Sequence, residues 1–148
     1  MRKLLSLALI FTFSVLGCTN SEIENEIEEN ISHKEDNDVD YYVKYHYYGY
    51  SGSGTYCLFD ITYLNFATSN SNPAVNTITY DYSTTKSNSI SNEIICGPFK
   101  KGNIVSIEMT NTNNVRYQLL EIYVSKNNSP FALRKSTTSR KLEYTIDY

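Results

Sequence analysis

The chain has 148 residues, enough for one domain and its termini. It is 14% aromatic and 20% charged, with 14 tyrosines, no tryptophan and a formal net charge of -3. So modest a charge disfavours a nucleic-acid partner. With only two histidines, and glycines that form neither a phosphate-binding loop nor a dinucleotide fingerprint, the common signatures of metal and nucleotide chemistry are missing.

Residues 1–17 read as a signal peptide. Met1, Arg2 and Lys3 make a short basic start. The run LLSLALIFTFSVL that follows, residues 4–16, is apolar but too short to span a bilayer comfortably. Next comes Val15-Leu16-Gly17-Cys18, and basic start, apolar core, small residue and cysteine in this order resemble the lipobox of bacterial lipoproteins. Leu16 is bulkier than the residue usual at its place. The resemblance implies that the Cys18 thiol receives a diacylglycerol, that the signal is cut before it, and that the new amino terminus is acylated, with palmitate-type chains. Several acyl chains make attachment stable where one is marginal. The partner so implied is the membrane, and the location a bacterial envelope, with the outer membrane and its surface as the expected address.

Residues 18–40 read as a disordered acidic linker. Nine acids between Thr19 and Asp40 face Lys34 alone, and few bulky apolar groups are present to offset the entropy of ordering. Ser21 with Glu24 makes a capping-box pattern, but Glu22 with Glu26 and Glu24 with Glu28 put like charges one helical turn apart. The acids of residues 36–40 imitate the start of a calcium loop. Tyr41 stands where that loop's sharp turn needs glycine, and Tyr47 where its closing glutamate belongs.

From Tyr41 the pattern becomes alternating, rich in Tyr, Ile, Val and Thr, and punctuated by turn residues. Seven strands are predicted, at residues 40–50, 55–65, 76–82, 93–96, 103–110, 117–125 and 141–147. No segment carries a helical stripe. Residues 41–148 are therefore expected to form an all-β domain, a seven-stranded antiparallel sandwich of Ig-like kind. Period-two alternation assigns Val105, Ile107 and Met109, then Leu120, Ile122 and Val124, then Leu142, Tyr144 and Ile146, to the core. The strand at 55–65 is apolar on both sides and is expected to be central.

With Cys18 assigned to lipid, Cys57 and Cys96 remain in an oxidising compartment, and a disulfide between them is the simplest reading. Two separately buried thiols are the alternative. The segments VKYHYYG, FDITYLN, CGPFKKGNIVSIEMTN and LEIYVSKNNSPFALRKSTTS resemble, in order and kind, the MmpS-type transport-accessory lipoproteins and related exported sandwich domains. GPF stands where those proteins favour Pro-Trp, and the final hairpin lacks their glycine. The resemblance implies an exported sandwich with an accessory role and transfers no functional residue.

No cofactor, metal site or catalytic triad is expected. His33 lies in the linker and His46 in a strand between tyrosines, and one histidine with two cysteines falls short of a closed zinc shell. A hydrolase built on two unmarked carboxylates is the third-ranked reading. Two surfaces are candidates for binding. The first is the outward set of the opening strand, Tyr42, Lys44, His46, Tyr48 and Tyr50, suited to a protein interface or to stacking on sugars. The second is a basic patch of Lys100, Lys101, Arg134, Lys135, Arg140 and Lys141, expected to share one end of the sandwich and to face anionic glycans, lipid headgroups or the acidic linker. The expected function is non-catalytic: a membrane-anchored module that binds or stabilises an envelope partner, with glycan binding through the tyrosine row as the alternative.

Overall fold

The computed structural model describes residues 39–65 and 74–148. The signal segment, Cys18 with its lipobox, and all of the acidic linker before Val39 lie outside the described residues. The described part is all-β. Its strands are β1 (Tyr41–Tyr50), β2 (Leu58–Asn65), β3 (Ala74–Tyr80), β4 (Ser89–Phe99), β5 (Ile104–Asn113), β6 (Tyr117–Lys126), β7 (Ala132–Thr137) and β8 (Lys141–Thr145). They form two antiparallel four-stranded sheets, ordered β4-β1-β6-β7 and β3-β2-β5-β8. The chain changes sheet at every connection except β2 to β3 and β6 to β7.

The architecture corrects the expected strand count from seven to eight. The added strand, β7, lies inside the segment read as a long connection. Asn127 and Asn128 both adopt positive φ, 48° and 63°, and Ser129 N donates to Lys126 O at 2.9 Å, which folds β7 back onto β6. All but the last residue of β7 are exposed, so it carries no alternation to betray it. The expected fourth strand also ended too early. Gly97 and Pro98 look like a stop, yet β4 continues through them to Phe99, with a register slip against β1 between Tyr41 and Val43. The strand order also departs from the Ig arrangement, in which the first two strands share a sheet. Here β1 and β2 lie in opposite sheets.

The core lies between the two inner faces, and β1 supplies its largest groups. Tyr41, Val43, Tyr45 and Tyr47 are fully buried, alternating with half-exposed neighbours along the whole strand. The phenolic rings pass across the core and find partners beyond it. Tyr45 OH donates to Leu64 O at 2.8 Å, and Tyr47 OH shares a 2.7 Å hydrogen bond with Tyr80 OH. Tyr41 OH donates to Tyr148 O. A tyrosine can serve this way because its body is apolar and its polar tip reaches the rim of the sandwich. The opposite sheet answers with Phe59 and Ile61 of β2 and with Val105, Ile107 and Met109, the last three buried as their alternation predicts. Leu120, Ile122, Val124, Leu142 and Ile146 are buried as well, while Tyr144 is half-buried at the core's edge.

Candidate functional site

With alternate β1 residues committed to the core, the other set must emerge on the outer face of its sheet. Tyr42, Lys44, His46, Tyr48 and Tyr50 all do so, and β1 lies between β4 and β6 in that sheet. The register then fixes their neighbours. Lys44 sits between Ile95 and Tyr123, His46 between Glu93 and Glu121, Tyr48 between Ser91 and Leu119, and Tyr50 between Ser89 and Tyr117.

The centre of this face is a polar network. Lys44 Nζ pairs with Glu93 at 2.9 Å and lies 4.6 Å from the centroid of the Tyr123 ring, with Phe131 at 5.8 Å. His46 Nδ1 meets Glu121 Oε2 at 2.8 Å, and its Nε2 meets Ser91 Oγ at 3.0 Å. Tyr123 OH donates to the same Glu121 oxygen at 3.0 Å, and burial together with that carboxylate raises the phenol's pKa. Aromatic and aliphatic groups frame the network. On one side are Ile95, Tyr42, Phe131 and Leu133; on the other, Tyr48 packs on Tyr117 at 5.9 Å. Tyr42 lies against Gly97, where a Cβ would come within 2.9 Å of its ring, so this tyrosine is partly accounted for by folding.

Ser91, His46 and Glu121 have the connectivity of a nucleophile, a base and the carboxylate that orients it. Sequence reasoning missed them because they come from three strands, 45 and 75 residues apart in the chain. In the structure they form a hydrogen-bonded chain across three strands. Hydrogen bonds at both ring nitrogens, to Glu121 through Nδ1 and to Ser91 through Nε2, hold the imidazole in place. Ser91 projects from the regular edge strand β4 on an open face. Two clefts of the described part lie elsewhere, at the end of the sandwich where β1 stops.

The expected disulfide is not formed: Cys57 and Cys96 are both free and buried. Cys57 N bonds Ser87 O at 3.0 Å and its thiol meets Asn88 O at 3.4 Å, just before β4 begins. Cys96 is near the other end of β4, opposite Val43. Nine steps of nearly extended chain carry Ser87 to Cys96, roughly 30 Å, whereas bridged cysteines keep their Cα atoms within about 7 Å. Burial pushes the Cys96 thiol up to about 11 and raises that of Cys57.

The basic residues do not gather into the single patch expected. Lys100 and Lys101 occupy the β4–β5 turn beside the start of β1, where Lys100 pairs with Asp40 at 2.8 Å. Arg134 and Lys135 lie on β7, the guanidinium 3.5 Å above the Tyr148 ring and the ammonium donating to Glu143 O. Lys141 pairs with Glu143 at 2.8 Å, while Arg140 borders a cleft at the opposite end from Lys100. The charges are spread because β4–β5 and β7–β8 turn at opposite ends of the sandwich. Among the described residues no group of three or more His, Cys, Asp or Glu is placed to hold a metal ion. No protein-family model, curated protein or solved structure matches the chain.

Proposed function

We propose that this chain is a lipid-anchored lipoprotein of the bacterial envelope whose sandwich binds a protein partner through the outer face of the β4-β1-β6-β7 sheet. The basic start, apolar core and Cys18 supply the anchor, and the acidic linker lets the domain stand clear of the membrane. The observation that carries the reading is the composition of the face. Tyrosines, which are enriched at protein interfaces because they offer area at little entropic cost, border the Lys44–Glu93 ion pair and the His46–Glu121 hydrogen bond, both already fixed in place. The reading assigns the Ser91-His46-Glu121 arrangement to rigidity and not to catalysis.

The test is capture of partners from cross-linked membranes by the full-length chain. A protein partner is expected to co-purify with wild type and to be lost on Tyr48→Ala and on Lys44→Glu. Truncating a central interface tyrosine costs ~2 kcal/mol, about thirtyfold in affinity. Undiminished capture by both variants refutes the assignment of the face. Sugar binding on a glycan array that disappears with Tyr48→Ala replaces the protein partner by a glycan. Surface exposure is checked by protease treatment of intact cells: a domain left uncut lies behind the outer membrane.

A further inference from the structure

A polar cleft of about 350 Å³ opens where β1 ends, between the β5–β6 turn and the β7–β8 turn, a volume in the range of small-ligand sites. Arg116 and Arg140 both border it, and no acidic residue among the described ones does. Neither arginine forms an ion pair with another described residue, whereas Lys44, Lys100 and Lys141 each have a carboxylate. A guanidinium without a carboxylate, in a cleft without acids, favours an anion, and its planar fork matches carboxylate, sulfate and phosphate oxygens.

The two arginines are also held in position. Arg116 N donates to Tyr50 O at 2.8 Å and Arg140 O accepts from Met109 N at 2.8 Å, so each backbone is fastened to a different sheet. Gln118 Nε2 donates to Thr138 O at 3.1 Å and ties the start of β6 to the β7–β8 turn. Gly52, at φ 92°, forms a bare shelf for Arg116: a Cβ there would stand 3.3 Å from its Cδ, Nε and Nη1. A larger residue would crowd the guanidinium and strain the turn.

The rest of the lining is neutral. Thr112 and Thr138 supply hydroxyl groups, and Tyr117, 47% exposed, supplies a ring. An inorganic anion would need only the arginines. A sugar bearing an acidic group would use all of it, with its charge on the guanidinium groups, its hydroxyls on the threonines and its ring face against Tyr117. We infer that this cleft is a binding site for an anionic saccharide. It lies at the end of the sandwich and meets the proposed partner face only at Tyr117, whose ring packs on Tyr48; the arginines are not part of that face, so their variants test the cleft separately.

The experiment is calorimetric titration of the full-length chain in detergent with a galacturonate trisaccharide, its neutral methyl ester and inorganic phosphate. The acid is expected to bind, and the ester to bind at least tenfold more weakly. Arg116→Ala and Arg140→Ala should each weaken the acid roughly 10- to 100-fold, the effect of losing a charge-assisted hydrogen bond. Arg116→Lys should fall between, since it keeps the charge and loses the fork. Tyr117→Ala should weaken the sugar but not phosphate. Lys100→Ala at the far end should change neither. Unaltered melting temperatures for the arginine variants separate loss of binding from loss of fold. Equal affinity for acid and ester, no measurable binding, or equal binding of phosphate and sugar with Tyr117→Ala silent would each overturn the assignment.

Discussion

Gly49 is the one residue of β1's inward set without a side chain, and its replacement by alanine puts the packing account to a quantitative test. General strand energetics say that alanine should stabilise, by roughly 0.5–1 kcal/mol, because glycine loses more backbone freedom on folding. The local geometry says the opposite. A Cβ at this position would stand 2.7 Å from Phe59 Cε1 and 3.3 Å from its Cζ, against ~3.5–4.0 Å for carbon atoms at rest. Phe59 cannot yield cheaply, being 1% exposed and wedged between the rings of Tyr47 at 6.4 Å and Tyr80 at 5.1 Å. Overpacking of this kind costs about 1–3 kcal/mol, so the net effect is a loss of ~1–2 kcal/mol. For a domain of this size that lowers the melting temperature by roughly 5–10 °C. Thermal unfolding followed by tyrosine fluorescence or circular dichroism measures it. Phe59→Leu should relieve part of the cost in the double variant, a coupling that a cycle of the two substitutions isolates. A Gly49→Ala variant as stable as wild type, or more so, would refute the claim that Phe59 dictates glycine here.

Other consequences are open to direct measurement. Both thiols should resist alkylation in the folded chain at pH 8 and react once denaturant is added, because the fold buries them and raises their pKa values; a Cys57–Cys96 cross-linked peptide in an unreduced digest would contradict this. Stability should be full below pH 9 and fall as pH rises towards 12. Cys96 and Tyr144 ionise at 9.0 and 10.0 when unexposed to the fold but at about 11 and about 12 within it, so the unfolded chain sheds its protons first. A urea midpoint that stays flat through pH 11 would count against the burial of Cys96. Tyr45→Phe strips Leu64 O of its donor and should cost about 1 kcal/mol, read as a lowered urea midpoint. Cys18→Ala should move the chain from the membrane fraction to the soluble one; persistence in the membrane would remove the lipid anchor from the account.

How much of this the sequence displays depends on whether a residue's role is local. The alternation in β1, β5 and β6 is visible because one face of each is buried, and period two records that burial directly. In β7 both faces are exposed, so the strand is held by its ladder to β6 and by Lys135 and Arg134 reaching over to β8 and Tyr148. Nothing in ALRKST records contacts made elsewhere. Gly97-Pro98 misleads for a related reason: the pair has the chemistry of a turn, but sits opposite Tyr42 in a bulge that the partner strand accommodates.

The binding question follows the same division. Tyr42, Lys44, His46, Tyr48 and Tyr50 are legible as one set because a single strand carries them. Their partners Ser91, Glu93, Glu121 and Tyr123 come from β4 and β6, and only the register reveals that two carboxylates flank His46. The basic residues show the converse error. Six cations in turns and strands suggest one patch, but adjacency in composition is not adjacency in space, and antiparallel connections sent them to opposite ends. Arg116 drew no notice in the sequence, since one arginine after two asparagines and a valine is unremarkable. It becomes significant only because Gly52, 64 positions earlier, leaves room for its guanidinium and Arg140, 24 positions later, brings a second one to the same cleft. In a sandwich whose chain keeps crossing between sheets, the surface at one end is assembled from distant turns, and it is there that the sequence is least able to announce what it builds.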